Sequence, residues 1–366
     1  MSFLHTLKVQ GVRNISRAEL SDLSRINLFY GDNGAGKTSV LEALHFLGLG
    51  RSFRSNKHLP IIGYQEDSSV VYGELSIESR FPSTLVSVGV QRGRDGTNEI
   101  RIDGQRASSV AQLAEIFPLQ LINADTFQLL LGAPGIRRQF VDWGVFHVEH
   151  TFLDLWRRMQ RTLKQRNSLL RRGKIGATEL TPWDQEFGRL AEAITDSRKD
   201  YFERWQQELI AITEKLWPGG MSIEFSFYPG WDRRLNAFEM LKRQSDRDRD
   251  LGFTSMGPHR ADIKIRVNGL PVSEVLSRGQ LKLLSLTMRL AQGAMLSACG
   301  NKQCIYLVDD LPAELDIERR AVVCELLLES DSQIFLTSVE RYGLDLSALD
   351  SKTLNVFHVE HGVVHQ

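Results

Sequence analysis

Eight residues constrain this chain more than any others. Gly31-Asp32-Asn33-Gly34-Ala35-Gly36-Lys37-Thr38 matches the pattern GxxxxGK(S/T). The run Ile26-Asn27-Leu28-Phe29-Tyr30 before it reads as a strand, and Val40, Leu41, Leu44 and Leu47 after it supply the apolar positions of a helix. Strand, glycine-rich loop and helix in that order make a phosphate cradle. Glycines let backbone N–H groups close around phosphate oxygens, where a Cβ would block the approach. The helix N-terminus adds the positive end of its dipole. In such a loop Gly31 to Gly36 wrap the phosphates, Lys37 bridges the β- and γ-phosphates, and the Thr38 hydroxyl ligates Mg2+. The expected cofactors are ATP and Mg2+. A glycine-rich turn before an unrelated helix is the alternative, and the flanking strand and helix argue against it.

The texture of the chain changes twice. From Leu4 to about Phe127, short strands alternate with glycine: Leu7–Val9, Val70–Tyr72, Leu85–Val88 and Ile100–Ile102, the last followed by the hairpin signal Asp103-Gly104. From about Pro134 to Arg249 long charged periodic stretches read as helices, and from Thr254 strands return at Ile263–Val267 and Cys304–Val308. The expected fold is α/β, an ATPase head assembled from residues 1–130 and 253–366 with a helical arm, 131–252, inserted between them. No heptad run is long enough for an extended coiled coil. The pentapeptide Phe146-His147-Val148-Glu149-His150 recurs as Phe357-His358-Val359-Glu360-His361. Histidines at helical spacing can bind a metal, but coincidence is the simpler reading, and the second copy sits in a strand-like tail.

Composition mainly excludes. Lys plus Arg equals Asp plus Glu, 45 each, so any nucleic-acid partner has to be read from local clusters. Three cysteines, Cys299, Cys304 and Cys324, with no CxxC spacing, argue against a disulfide framework or a zinc site. Met1 to Gln10 has no apolar leader, and no run approaches the roughly 18 apolar residues of a membrane span. A cytoplasmic location and no membrane partner are expected.

The distal half narrows the class. Cys304–Val308 is an apolar run ending in Asp309-Asp310, the form of a buried parallel strand with carboxylates at its ligand-binding end. Asp309 is then the Mg2+-holding acid, and Asp310, on the other side by strand alternation, can polarise the attacking water. Leu276-Ser277-Arg278-Gly279-Gln280 precedes a long amphipathic helix, with Ser277 as its N-cap. The order of P-loop, LSxGQ about 240 residues later and the acidic strand about 30 residues beyond resembles the ABC ATPase family. That resemblance implies two heads face to face, with Ser277, Arg278, Gly279 and Gln280 completing in trans the nucleotide held by the partner's P-loop. It also implies a D-loop at Ala313-Glu314-Leu315-Asp316 and a switch strand at Gln333–Ser338. Two departures stand out. Asp310 occupies the place of the usual glutamate, and Ser338 the place of the usual histidine; both imply slow hydrolysis. Asn123 is the nearest candidate for the Q-loop position.

More specific stretches run through nearly the whole chain: Gly11-Val12-Arg13-Asn14-Ile15, Gly50–Ser55, Gly135–Trp143, Lys164–Asn167, Gly257–Asp262 and Leu276–Leu284. In these the chain resembles the RecF family of the SMC-like ABC class. The resemblance implies Arg13 at the ATP site, an ATP-dependent homodimer, and binding to duplex DNA near single-strand gaps. It further implies cooperation with RecR and RecO to load RecA on strands coated by single-strand-binding protein. From Arg157 to Thr178 there are eight basic residues and no acid. At about 100° per residue, Arg157, Arg161, Lys164 and Arg171 share the face opposite Phe152, Trp156, Met159, Leu163 and Leu170, with Arg166 out of place among the apolar positions. Such a stripe suits backbone phosphates or is an ordinary solvated face. The alternative function is the nucleotide-binding subunit of an ABC transporter; the roughly 110-residue insertion, the Asp pair and Ser338 argue against it.

Overall fold

The computed structural model describes residues 2–55, 59–77, 84–172, 177–217, 222–300, 302–311, 315–342, 344 and 353–366. In chain order the elements are β1 (Ser2–Val12), β2 (Ile15–Leu20), β3 (Ile26–Tyr30), α1 (Lys37–Leu49), β4 (Ser68–Ile77), β5 (Thr84–Gly93), β6 (Asn98–Ile102), β7 (Gln105–Arg106), α2 (Val110–Ile116) and β8 (Leu119–Ile122). There follow α3 (Gln128–Leu131), α4 (Pro134–Val148), α5 (Phe152–Leu170), α6 (Ala177–Leu216), β9 (Ile223–Tyr228), α7 (Ala237–Leu251), β10 (Asp262–Val267), β11 (Leu270–Pro271) and α8 (Val272–Val275). The chain closes with α9 (Arg278–Gly300), β12 (Ile305–Val308), α10 (Ile317–Glu329), β13 (Gln333–Ser338), β14 (Leu354–Glu360) and β15 (Val363–His365).

One compact unit comprises Met1–Thr126 with Lys282–Gln366, and the other Phe127–Leu281. The first contains a sheet of order β15-β14-β3-β13-β12-β8, parallel from β14 to β8. Strands β3, β12 and β13 are almost entirely buried, which is why IYLV in β12 is an unbroken apolar run and the centres of β3 and β13 are apolar. Because β13 lies between β3 and β12, the loops leaving those two strands flank its carboxyl end. The second sheet, β2-β1-β4-β5-β6-β7, is antiparallel, and Asp103 and Gly104 take positive φ at the hairpin their sequence announces. Helix α1 packs against strands of both sheets and is buried on nearly every side. A helix so placed has no polar face to show, in keeping with the sequence KTSVLEALHFLGL.

The second unit combines α3 to α8 with the small sheet β11-β10-β9. The zone that reads as helical therefore contains a strand, β9, whose alternate residues Ile223, Phe225 and Phe227 turn inward. They meet the aromatic centre of the unit: Trp205 lies 5.9 Å from Phe225 and 5.4 Å from Phe140, and Phe202 lies 5.9 Å from Phe227. Pairing of β9 with β10 brings Ile263–Val267 into this unit. Contacts Arg158–Glu186 and Arg166–Asp184 run in opposite directions along α5 and α6, so the two helices are antiparallel. The repeated pentapeptide has no common structure: the first copy closes α4 and the second forms part of β14. Among the described residues no group of three or more His, Cys, Asp or Glu is placed to hold a metal.

Arg166 is where α5, α6 and α7 meet. Its fully buried guanidinium donates to Asp184 (2.7 Å), Asp248 (2.8 Å) and the Thr254 hydroxyl (2.8 Å). Burial pushes the Asp184 carboxyl up, against the lowering influence of Arg166. Arg166→Ala would leave Asp184 and Asp248 desolvated without their cation. It should cost about 3–5 kcal/mol in urea unfolding, whereas Arg158→Ala, which breaks only an exposed pair with Glu186, should cost under about 1 kcal/mol.

A buried histidine adds a pH dependence. His259 bonds Thr254 O through Nε2, and burial holds its pKa down at about 4. The unfolded ring takes a proton near its ordinary value of 6.5 and the folded ring only near 4. Stability is therefore full above pH 6.5 and lost as pH falls through that window. A His259→Asn variant should melt with a shallower pH slope between 6.5 and 4 than wild type, the difference reaching about 3 °C or more.

Candidate functional site

The P-loop leaves β3 and turns into α1 through glycines with positive φ: 148° at Gly31, 83° at Gly34 and 123° at Gly36. At Gly31 a Cβ would lie 2.2 Å from the backbone oxygen of Val359 on β14, so the close approach of these strands requires glycine. Asn14, from the turn between β1 and β2, props the loop from outside. Its amide donates to Ala35 O (3.1 Å) and its carbonyl accepts from Ser39 Oγ (2.8 Å). The Lys37 ammonium donates to Gly31 O (2.6 Å) and Asp32 O (2.9 Å). Burial draws the lysine pKa down, and the carboxylates of Asp310, Asp309 and Asp32 oppose that shift.

The ends of β12 and β13 and the start of α1 meet at Asp309. Thr38 Oγ1 donates to its Oδ1 at 3.0 Å, and Thr337 Oγ1 of β13 donates to the same oxygen at 2.8 Å. Thr337 also accepts from the Asp310 N–H at 2.9 Å. Strand β12 ends at Val308, and Asp310 has a φ of 50°. Strand alternation therefore does not reach the pair, and both carboxylates line one cleft rather than opposite sides. The cleft, of about 1050 Å3, is bordered by Gly36, Lys37, Thr38, Asp309, Asp310 and Thr337, and also by Arg13, Arg54, Ile62 and Tyr64. A threonine hydroxyl beside an aspartate offers the hard oxygen donors that Mg2+ takes, and a buried ammonium beside them suits a polyphosphate. The residues present fit ATP with Mg2+.

The other expected site residues fall in several places. Gly31, Asp32 and Ala35 border a separate groove with Tyr30, Arg341 and His358, and Asn33 and Gly34 border both. Arg13 lines the cleft and makes a two-pronged pair with Glu42, 2.8 Å on each side. Ser338 is buried at the end of β13 and is not among the cleft-lining residues; Thr337, one position earlier, is. Asn123 Oδ1 accepts from Asp125 N and Thr126 Oγ1 in the turn after β8, and its neighbour Ala124 lines the cleft. Asp316 caps α10 by accepting from Arg319 N, whereas Ala313 and Glu314 lie outside the described residues.

Ser277 begins α9 in a reciprocal cap. Its N–H donates to Gln280 Oε1 (2.9 Å) and its Oγ accepts from Gln280 N–H (3.3 Å), leaving Ser277, Arg278 and Gly279 exposed in the second unit. Arg157, Arg161 and Lys164 are exposed on α5 and Arg171 at its C-cap, and none is ion-paired among the described residues. Thr337 was not legible as a site residue, nor was Glu42 as the partner of Arg13. Thr337 had one available signal, as the hydroxyl preceding the expected switch position.

The family model of the RecF/RecN/SMC N-terminal domain matches residues 3–365. The solved Smc head bound to the C-winged-helix domain of ScpA has the same fold at a TM-score of 0.61 and 17% identity, over 99% of this chain and 96% of that one. Fold and cleft together define an ATP-binding head of the SMC-like ATPase class. Within it, the chain is 45% identical to the DNA replication and repair protein RecF of Pseudomonas aeruginosa (strain LESB58), over 99% of this chain and 97% of that protein. It is 44% identical to RecF of Stutzerimonas stutzeri (strain A1501), over 99% and 97%. The recombination mediator protein RecF with ATP, of the RecFOR pathway, superposes with a TM-score of 0.85 at 22% identity over 99% of this chain and 97% of that one. The chain belongs to the RecF family of DNA replication and repair proteins. That membership sets aside the transporter subunit, and no helix of the described residues is long and apolar enough to cross a membrane.

Lys37→Met should abolish ATP binding in calorimetric titration while the melting temperature without nucleotide stays within about 3 °C of wild type. Retention of wild-type affinity would place the phosphates outside this loop.

Proposed function

We propose that this chain is an ATP-dependent DNA-binding switch of recombinational repair and replication-fork recovery, acting in the cytoplasm. Two heads sandwich two ATP molecules, the P-loop of one facing Ser277, Arg278, Gly279 and Gln280 of the other. Lys37 and the loop from Gly31 to Thr38 hold the triphosphate, with Arg13 beside it. Thr38 and Asp309 hold Mg2+. Asp310 orients the attacking water, while Asp316 and Ser338 serve the D-loop and switch. The observation that carries this reading is the convergence of the Thr38 and Thr337 hydroxyls on one carboxylate oxygen of Asp309 beside a buried lysine. It is supported by a capped helix whose signature serine is exposed rather than used up inside the unit.

Hydrolysis is slow and stimulated by DNA. Asp310 is one methylene shorter than glutamate, and Ser338 is a buried hydroxyl in the place of the usual histidine. A slow step suits a timed clamp: ATP closes the dimer on DNA, and hydrolysis opens it. DNA contact is assigned to the exposed face of Arg157, Arg161, Lys164 and Arg171, which reads backbone phosphates and not bases. The partners are duplex DNA at gap junctions, RecR with RecO, and RecA downstream.

A salt series of DNA titrations with ATP, ADP and no nucleotide tests the switch. Affinity should be highest with ATP and should fall linearly on a log–log plot with salt. Replacing Arg157, Arg161, Lys164 and Arg171 with alanine should lower the slope by about 3–4. Equal affinity in all three nucleotide states would refute the coupling. In sedimentation the mass should double at saturating ATP with Mg2+; a monomer there would exclude completion of the site in trans.

A further inference from the structure

We propose that Glu42 is a positioning residue of the nucleotide site, a buried carboxylate that sets the loops walling the cleft without touching the nucleotide. This rests on the reading of that cleft as the ATP site. Glu42 lies one turn beyond Thr38 on α1, with its side chain fully enclosed. A bare carboxylate there would be costly, and its two oxygens are instead shared between two loops. Arg13 Nε donates to Oε2 and Arg13 Nη2 to Oε1, each at 2.8 Å. Ser52 Oγ also donates to Oε1.

Each partner carries a wall of the cleft. Arg13 has a φ of 55°, a conformation that a residue with a Cβ keeps only when its surroundings hold it. Its N–H donates to Ile61 O at 2.9 Å, and Gly63 N–H donates to Gly11 O at 2.9 Å, so the Arg13 turn holds the segment that presents Ile62 and Tyr64. Ser52 Oγ accepts from the N–H groups of Arg54 (3.0 Å) and Ser55 (3.1 Å), folding the loop that brings Arg54 to the cleft. One turn further along α1, His45 Nδ1 bonds Arg51 O at 2.8 Å, and burial keeps that ring neutral and able to donate. The helix that begins at the phosphates thus fixes, through one carboxylate, two cleft-lining arginines and the rim around Tyr64. A glutamine at this position has a single acceptor oxygen and a competing donor, so Arg13 or Ser52 loses its partner.

The test is calorimetric ATP titration of the full chain with Mg2+, for wild type, Glu42→Gln, Arg13→Ala and the double variant. Binding by wild type is the reference, and its absence would sink the ATP reading itself rather than the role of Glu42. Glu42→Gln should raise the Kd about tenfold, and in the Arg13→Ala background it should add less than about threefold. A merely structural carboxylate would lower the melting temperature but multiply the Kd equally in both backgrounds, and that outcome overturns the proposal. So does a Glu42→Gln Kd within about twofold of wild type. Should Glu42→Gln not fold, Arg13→Lys keeps the cation and loses the two-pronged pair. It should raise the Kd about fivefold, and wild-type affinity would refute the role of Glu42.

Discussion

Asp309 is the point on which the nucleotide cleft depends. Its Oδ1 takes hydrogen bonds from Thr38, at the start of α1, and from Thr337, at the end of β13. The three residues are far apart in sequence, and only the strand order β3-β13-β12 brings them together. Parallel register does the rest, because Ser338 pairs with Tyr30 and Val308 with Leu336, so β3 and β13 end together and β12 stops two residues short, leaving Asp309 and Asp310 beside the end of β13. A slip of one residue in any of these pairings would turn a hydroxyl away from the carboxylate.

The phosphate loop is held as firmly from behind as from below. Helix α1 is closed in by two sheets, and the few polar groups it buries all have partners from outside the helix. Lys37 meets the loop carbonyls, Ser39 meets Asn14, Glu42 meets Arg13 and Ser52, and His45 meets Arg51. Buried polar groups that are all satisfied specify one arrangement, since each alternative leaves a desolvated group unpaired. The site therefore gains its precision from the packing of its helix as well as from its glycines.

Local chemistry was legible in the sequence and long-range pairing was not. Residues Gly31 to Thr38 require a strand before and a helix after, and both stand where the pattern put them. The apolar runs at Ile305–Val308 and Gln333–Ser338 are strands because a central parallel strand is buried on both faces. β9 escaped notice because a six-residue alternation between long helices carries little signal of its own. Arg166 looked misplaced on its helix face; its carboxylates, Asp184 and Asp248, come from two other helices that no period along α5 could reveal. Glu42 is a polar residue in an apolar helix, and no spacing along α1 reveals its role, because its partners arrive from separate turns. Thr337 and Ser338 differ by one position in a strand, and only the place where the neighbouring strand stops decides which hydroxyl reaches the acid.

The contact of Gly31 with Val359 carries a consequence for how the molecule is made. The first glycine of the phosphate loop is backed by β14, which pairs with β3 along Leu354 to His358. During synthesis the loop emerges early and its backing emerges late. A nascent chain therefore holds an unfinished phosphate cradle through most of its translation, with both sides of β3 unpaired until β13 and β14 emerge and its amides exposed to wrong partners. Clipping off the last two strands would free the β14 side of β3 again in the mature protein, removing no residue that lines the cleft yet loosening the loop at its root.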